Sequence, residues 1–330
     1  MIPNIFSFEL KYRFTNPLTY LILLMMAGQG IWYALGVYDY YTSDEALLNG
    51  AGIFYQCLAG GGMLIVAVVA MISGTTLHRD VAVGSADYVY ACPLNEKRFS
   101  SGFWQITGAT PAPTWVLQVP KLLAMFGTAF FFAFAIFSGG VFAQLLQGFW
   151  DIDLLLYITD IFGYKFGWIT YIFNIILVFF LASLFGNRYL THVVAIGYYL
   201  FMIISFEVGL IEQIRFGYAL TPGVDDYSEM MGYGIWERSS FWFFLMWTSL
   251  ATFFVLAGIQ FWRRGTAQRI FDRKRLLGGE LSFRTKTVGA AAMVMFFLLQ
   301  GYIVASSNNL RNHISSEQAD TEAALYEDRV

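Results

Sequence analysis

The sequence is poor in the residues that usually build catalytic and metal sites. It has two cysteines and three histidines, and Cys57 and Cys92 fit neither a metal-binding spacing nor a disulfide framework. No histidine lies in an H-E-x-x-H motif, and the sequence has no G-x-x-x-x-G-K-[ST] loop for nucleotide phosphates. We therefore expect a protein that is not an enzyme and that binds neither a metal nor a cofactor.

Charged residues are also scarce. Asp, Glu, Lys and Arg make up 13% of the 330 residues, whereas a soluble domain carries about 25%. Apolar residues make up 57% and aromatic residues 19%, which is more apolar surface than a soluble core of this size would bury. A lipid bilayer is the simpler solvent for this composition.

Seven apolar runs are long enough to cross a bilayer, which requires about 20 residues in a helix. They lie at 18–38, 54–73, 121–144, 167–186, 190–210, 239–262 and 287–306. The sequence therefore predicts an all-α fold, a polytopic membrane helix bundle with about six to seven transmembrane helices between residues 18 and 306.

The distribution of Lys and Arg predicts which side of the membrane each loop faces. With the N-terminus in the cytoplasm and seven spans, 15 of the 20 Lys and Arg residues fall on the cytoplasmic side and five fall outside. The cytoplasmic loops are then 74–120 and the basic loop 263–286, and the extracytoplasmic segments are 145–166, 211–239 and the acidic tail 307–330. Because a basic loop between spans follows from this rule alone, we expect no nucleic-acid partner.

Residues 1–17 precede the first run and mix apolar with charged residues. Glu9, Lys11 and Arg13 alternate with apolar residues in NIFSFELKYRF, so the pattern is compatible with period two. We favour an amphipathic helix on the cytoplasmic face of the membrane, in contact with lipid and with its cationic residues at the headgroups. The Asn16–Pro17 pair would then turn the chain into the first span.

A few polar residues stand out from this background. Glu207 lies near the outer end of the fifth run, where an ionisable side chain is costly unless it is paired or hydrated. It is a candidate for an intramembrane polar site, and extension of its carboxylate to the outer interface is the simpler alternative.

His78 is expected in a loop near the inner headgroups, and His192 against a neighbouring helix or at the interface. An acidic cluster in the loop 211–239 can hold a cation, although a solvated loop is the simpler interpretation; it comprises Asp225, Asp226, Glu229 and Glu237.

Eight stretches, in this order, carry a resemblance to a known family. The first two are FELKYRFTNPLTY (8–20) and GTTLHRDVAVGSADYVYACPLNEKRF (74–99). The others are ATPAPTWVLQVPKLLAM (109–125), QLLQGFWDIDLLLYITDIFG (144–163), NRYLTHVVAIGYYLF (187–201), DDYSEMMGYG (225–234), WRRGTAQR (262–269) and GYIVASSNNLRNH (301–313). They resemble the permease subunit of a type-2 ATP-binding-cassette (ABC) exporter. More narrowly, they are similar to the transmembrane part of bacterial ABC permeases fused to an extracytoplasmic gluzincin aminopeptidase domain.

The resemblance implies a permease that couples ATP hydrolysis by a separate ABC ATPase to the movement of a substrate across the bacterial cytoplasmic membrane. A homodimer or a second permease half would complete the transport path. The resemblance also places the coupling element, which docks on the ATPase, in the loop after the second span. The implied coupling residues are the charged Arg79, Asp80, Asp87 and Glu96, the aromatic anchors Tyr88 and Tyr90, and Pro93, which stiffens the exit.

The sequence departs from the fusion proteins in two respects. Their permease part resembles two halves in tandem, whereas here the opening of the first half continues directly into the second half near 97–115. The sequence stops about where the peptidase would begin, and the zinc motif is missing, so no peptidase activity is implied. The alternative function is therefore a membrane anchor or a truncated remnant of a permease–peptidase fusion without transport activity.

Overall fold

The computed structural model describes residues 2–41, 68–69, 71–79, 114–148, 150, 152, 168–211, 213–222, 234, 236–262 and 282–311. Within these ranges the chain forms helices and connecting segments, and no strand. The α-helices with defined ends are α1 (Ile2–Phe14), α2 (Pro17–Tyr41), α3 (Thr114–Leu146), α4 (Trp168–Phe185), α5 (Arg188–Glu207), α6 (Trp236–Phe261) and α7 (Phe283–Arg311). Residues 71–79 are also helical and are called the 71–79 segment below. The predicted all-α fold is confirmed.

Six of these helices are long and apolar enough to cross a membrane. Their candidate spans are Pro17–Gly36, Trp115–Leu146, Trp168–Phe185, Arg188–Phe206, Trp236–Phe261 and Phe283–Ser306. They correspond to all of the predicted runs except 54–73, most of which lies outside the described residues. The chain is a multi-pass membrane protein.

Helix α3 begins earlier than the sequence predicts. The predicted apolar run is 121–144, and the helix that contains it starts at Thr114 and continues through Pro120. A proline inside a helix removes one hydrogen bond and bends the helix, so the sequence alone favours a boundary there. Packing overrides this preference, because Gln118 and Lys121 on either side of the proline are both buried.

Helices α2 and α3 cross at glycines with their backbones in close approach. A Cβ on Gly30 would overlap the carbonyl oxygen of Ile136, and a Cβ on Gly139 would overlap the carbonyl oxygen of Ala27. Small residues let membrane helices approach this closely. Because lipid provides no hydrophobic driving force between helices, the van der Waals contacts of the close approach stabilise the pair instead. Helix α1 packs on the same α3, where the ring centroids of Phe14 and Phe131 are 4.9 Å apart.

Helices α4, α6 and α7 pack through an aromatic layer. Ring contacts join Phe173 with Phe244 and Phe180 with Phe254, at centroid distances of 6.3 and 4.7 Å, so α4 and α6 run in the same direction. Helix α7 runs antiparallel to α6, because Tyr302 contacts Trp242 at 4.8 Å and Gly289 lies beside Leu256.

Helices α4 and α5 form a tight hairpin. Gly186 adopts a positive φ of 61° at the end of α4, which is the conformation that a glycine C-cap supplies. Asn187 then caps α5, because its side-chain oxygen accepts a hydrogen bond from the Tyr189 N–H at 2.9 Å. Val178 and Ala195 pack together in the hairpin, so α4 and α5 are antiparallel.

Candidate functional site

Four polar residues join α1 to the 71–79 segment, and we call this group the α1 junction. Glu9 and Arg13 are one helical turn apart and share one face of α1, and Thr76 and Arg79 share the facing side of the 71–79 segment. Glu9 is 1% exposed and Arg13 is 8% exposed. The sequence predicts the cationic residues of α1 at the headgroups; Lys11 is exposed, but Arg13 turns inward because its hydrogen-bond partner lies in the 71–79 segment.

The ion pair between Glu9 and Arg79 is the main contact of the junction. Arg79 Nη1 donates to Glu9 Oε2 at 2.9 Å, and Arg79 Nη2 donates to Glu9 Oε1 at 2.6 Å. This bidentate geometry uses both carboxylate oxygens and matches the planar fork of the guanidinium. The two residues are 70 positions apart in the chain, so the pair fixes two distant segments to each other.

Two aromatic rings cover the guanidinium of Arg79. Its central carbon lies 4.7 Å from the ring centroid of Tyr12 and 5.4 Å from that of Phe8. Each cation–π contact adds about 0.5–1 kcal/mol at an exposed site and more when the cation is desolvated. Both rings are themselves more than half exposed, so they form the outer surface of the junction.

Arg13 has a less complete set of partners. Its Nη2 donates to the Thr76 hydroxyl, and its Nε is buried with no hydrogen-bond partner in the described part of the chain. Burial lowers the pKa of the Arg13 guanidinium to about 10; the negative charge of Glu9 opposes this change and the positive charge of Arg79 adds to it. The junction therefore contains two guanidinium groups and one carboxylate.

The other faces of the 71–79 segment pack against α5 and the end of α6. A Cβ on Gly74 would overlap Nε2 of His192, so the imidazole lies directly on the glycine backbone. His192 thus faces a helical neighbour, as one of the two predicted alternatives has it. The ring of His78 stacks on Trp262 at 6.3 Å, and Trp262 stacks on Phe179 at 5.8 Å.

His78 is the one histidine whose prediction is wrong. It lies in a helix rather than in a loop and is 5% exposed. The indole of Trp262, which follows α6 directly, provides the apolar surface that takes it out of water.

Of the seven predicted coupling residues, the structure describes Arg79. Its guanidinium pairs with Glu9 of α1 and its side chain is 18% exposed. Arg79 therefore joins the 71–79 segment to α1 and does not project into solvent as a free docking residue would. Asp80, Asp87, Tyr88, Tyr90, Pro93 and Glu96 lie outside the described residues. Glu207 is the last residue of α5, and its side chain is likewise not among the described parts of the structure. Three members of the predicted acidic cluster, Asp225, Asp226 and Glu229, also lie outside the described residues, whereas Glu237 is exposed in the first turn of α6.

Sequence reasoning missed Glu9, Arg13 and Thr76 as members of a site. The signal was present in part: two charged residues at i and i+4 on one face of a helix beside the membrane require partners if that face packs on protein. The sequence does not show which face packs.

Residues 211–222 form a second polar feature, which we call the 211–222 connection. It contains the short 3-10 turn Ile214–Phe216 and carries Tyr218 and Ala219 into the interior, where they are 8% and 1% exposed. Its backbone is not regular, and side chains of the surrounding helices hold it. The bonds are Trp247 Nε1 to the Leu220 carbonyl (2.8 Å), Ser240 Oγ to the Pro222 carbonyl (3.1 Å), the Tyr218 N–H to the Tyr198 hydroxyl (3.2 Å) and the Tyr218 hydroxyl to the Phe173 carbonyl (2.9 Å).

Non-helical backbone in a membrane protein is tolerated where it is buried in protein and its polar groups are paired. In the 211–222 connection this holds for Tyr218, Leu220 and Pro222, whose backbone groups are bonded to side chains of the surrounding helices. The connection contacts α4 near Phe173 and α6 near Ser240, in the first half of each helix. The 71–79 segment contacts Trp262, which directly follows α6, and His192 in the first turns of α5. The two features therefore lie toward opposite ends of the bundle formed by α4, α5 and α6.

Comparisons with known proteins do not assign the chain to a family. No protein-family model matches it, and neither a characterised protein nor a solved structure matches it. Among the described residues, no group of three or more His, Cys, Asp or Glu side chains is placed to hold a metal ion.

Proposed function

We propose that the chain is the transmembrane permease subunit of an ABC exporter in the bacterial cytoplasmic membrane, and that a separate ATPase supplies ATP hydrolysis. The α1 junction is the observation that supports this function. The helix that leads into the charged loop 80–99 is fixed to α1 by an ion pair and to α5 and α6 by close packing. A partner that binds the loop would therefore move three helices together.

Coupling requires a support that does not bend when the loop is pushed. Breaking a buried ion pair by removing one partner costs about 3–5 kcal/mol. Arg79 is partly exposed, so the Glu9–Arg79 pair lies below this range, but its bidentate geometry still places it well above thermal energy, which is about 0.6 kcal/mol. A force on the loop is thus transmitted to α1 before the junction opens.

The deciding experiment is mild purification of the chain from its native membrane, followed by identification of the proteins that come with it. The proposal expects a cytoplasmic ATPase whose hydrolysis rate changes when the complex forms. Charge reversal at Asp80 and Asp87 should weaken that complex, because the two carboxylates lie in the implied docking loop. The same reversal at Asp151 and Asp153, which belong to the predicted extracytoplasmic loop, is the matched control and should leave binding unchanged.

A preparation that contains no ATPase would contradict the exporter proposal and favour the membrane anchor. Equal loss of binding in the Asp80/Asp87 and Asp151/Asp153 variants would also contradict it, because the effect would then not come from the loop 74–99.

The proposed orientation has the N-terminus in the cytoplasm and the C-terminus outside. The supporting observations are the excess of Lys and Arg in the loops assigned to the cytoplasm and the opposite ends occupied by the 71–79 segment and the 211–222 connection. A Ser316→Cys variant in a background without native cysteines should react with an impermeant thiol reagent in intact cells. A cysteine at Thr266, in the basic loop, should react only after the membrane is opened. The reverse pattern would invert the topology.

The proposal also requires a second permease half, either a second copy of this chain or a related one. Helices α2 and α7 have the most exposed spans in the described part of the chain, with 17% of each span buried. Their apolar faces, which include Trp32, Phe297 and Leu298, are available for lipid or for this partner. Native mass spectrometry of the complex should give two permease chains for each functional unit, and a complex with a single permease chain would contradict this requirement.

A further inference from the structure

The α1 junction has an excess of positive charge that the described residues do not neutralise. It contains the guanidinium groups of Arg13 and Arg79 and the single carboxylate of Glu9. Both oxygens of Glu9 already accept from Arg79. Counted over the residues that the structure describes, one positive charge therefore remains at a site where all three ionic side chains are mostly buried.

The partner of Arg13 is a hydroxyl group, which carries no charge that could balance the guanidinium. The Thr76 hydroxyl accepts from Arg13 and donates to the Ile72 carbonyl at 2.8 Å. None of the described residues provides an acceptor for Arg13 Nε. A guanidinium offers five N–H donors, and a buried cation that lacks a counter-charge is costly. Burial lowers the pKa of Arg13 to about 10, and the negative charge of Glu9 offsets only part of this change.

The junction lies beside the ends of two apolar stretches. Arg13 precedes the span that starts at Pro17 by four residues. Thr76 and Arg79 follow the apolar run 54–73. By sequence, both positions fall just outside an apolar run, where the lipid headgroups begin.

The exposed border of the junction fits this depth. Phe8 and Tyr12 flank Arg79 and remain 58% and 52% exposed. Aromatic side chains are enriched at the interface between membrane and water. Of the groups present at that interface, phosphate is the one that pairs with a guanidinium in bidentate geometry and carries the missing negative charge.

From these observations we infer that the α1 junction binds the phosphate group of an anionic membrane lipid. The phosphate lies at the border formed by Phe8, Tyr12 and Arg79, and it balances the net positive charge of the junction by proximity, since Arg13 itself is buried. The inference does not depend on the exporter proposal, since it uses only the charge and position of the junction.

The test is a titration of the detergent-solubilised full chain with tail-labelled phosphatidylglycerol and, separately, with phosphatidylcholine. Both lipids contain a phosphate, but phosphatidylglycerol carries the net negative charge. The unmodified chain should bind phosphatidylglycerol at least about fivefold more tightly, the factor expected of one additional cation–anion contact at a membrane surface. Equal affinity for the two lipids would overturn the inference.

Variants with opposite expected signs separate binding from structural damage. Arg13→Gln removes the excess charge and should abolish the preference for phosphatidylglycerol. Glu9→Gln adds to the excess and should raise it. Thr76→Val removes the competing neutral partner, keeps both guanidinium groups and should preserve the preference even if Arg13→Gln fails to fold. A structural role alone would make Glu9→Gln and Arg13→Gln act in the same direction, which would overturn the inference.

Lys11→Gln is the matched control, because Lys11 is an exposed cation on the same helix and makes no contact in the junction. It should lower the preference less than Arg13→Gln does. Equal effects would indicate general attraction to the surface and would overturn the specific site. Inorganic phosphate should displace labelled phosphatidylglycerol only at concentrations far above that of the lipid; displacement at equal concentration would assign the site to free phosphate instead.

Discussion

Replacing Gly30 or Gly139 by alanine should separate α2 from α3. A Cβ on Gly30 would overlap the Ile136 carbonyl oxygen and lie 2.9 Å from the carbonyl carbon and 3.1 Å from the Gly140 nitrogen. A Cβ on Gly139 would overlap the Ala27 carbonyl oxygen and lie 2.8 Å from its carbonyl carbon. In both cases the obstructing atoms belong to a helix backbone, so no side-chain rotation relieves the overlap.

The magnitude follows from two opposing terms. Overpacking costs about 1–3 kcal/mol when neighbours adjust, and a rigid backbone places this crossing at the upper end. Alanine recovers about 1 kcal/mol of helix propensity relative to glycine. We therefore expect each variant to lose about 2 kcal/mol in free energy of unfolding. Gly28→Ala is the matched control, because a Cβ there meets no atom within 4 Å, and it should be neutral or slightly stabilising.

The assay is reversible unfolding in mixed micelles, followed by tryptophan fluorescence. The double variant Gly30→Ala/Gly139→Ala gives a further check. The first methyl group already forces the two helices apart, so the second methyl group meets less overlap. The loss of stability in the double variant should therefore be smaller than the sum of the losses in the two single variants. Equal stability of the Gly28→Ala and Gly30→Ala variants would refute the close crossing, and a fully additive double variant would refute the shared contact.

Three further changes test the 211–222 connection and the α4–α5 hairpin by the same unfolding assay. Tyr218→Phe removes the buried hydrogen bond to the Phe173 carbonyl and should lower the free energy of unfolding by about 1 kcal/mol. Tyr20→Phe is the control, because the Tyr20 hydroxyl donates to the Phe14 carbonyl at an exposed site, and it should cost less. A larger loss for Tyr20→Phe than for Tyr218→Phe would contradict the contribution of the buried bond. Ala219→Gly should cost about 1–2 kcal/mol less than Ala251→Gly within α6. Both changes remove a buried methyl group, but Ala219 has a φ of 65°, and glycine relieves that strain. Equal losses would argue against strain at Ala219. Asn187→Ala removes the N-cap of α5 and should lower the free energy of unfolding by about 1 kcal/mol. An unchanged unfolding midpoint would show that the cap does not contribute to stability.

Long apolar runs made the helices predictable. A stretch of about 20 apolar residues has one common solution in a bilayer, a helix that satisfies its own backbone hydrogen bonds. Six spans could therefore be located from composition alone. Pro120 shows the limit of this reasoning, because its local preference for a helix boundary loses to the burial of Gln118 and Lys121.

The α1 junction could not be predicted in the same way. The charged residues of α1 are expected to face headgroups or water, and Glu9 and Arg13 do the opposite because their partners lie 70 and 63 residues further along the chain. A contact of that sequence separation leaves no periodic pattern in either segment. Composition therefore located the membrane helices, while the polar contacts between them depend on packing that only the structure shows.

Helix α4 connects the two polar features of the molecule. Its Phe179 stacks on Trp262, which also stacks on His78 of the 71–79 segment. Its Phe173 carbonyl accepts the hydrogen bond from Tyr218 of the 211–222 connection. The two positions are six residues apart, which is about 9 Å along a helix, and a helix is stiff over that distance. Energetic coupling between distant sites passes through packed side chains and rigid elements of this kind. If an ATPase docks on the loop 80–99, as we propose, displacement of His78 and Trp262 reaches Tyr218 through one helix, and no rearrangement of α2 or α7 is needed.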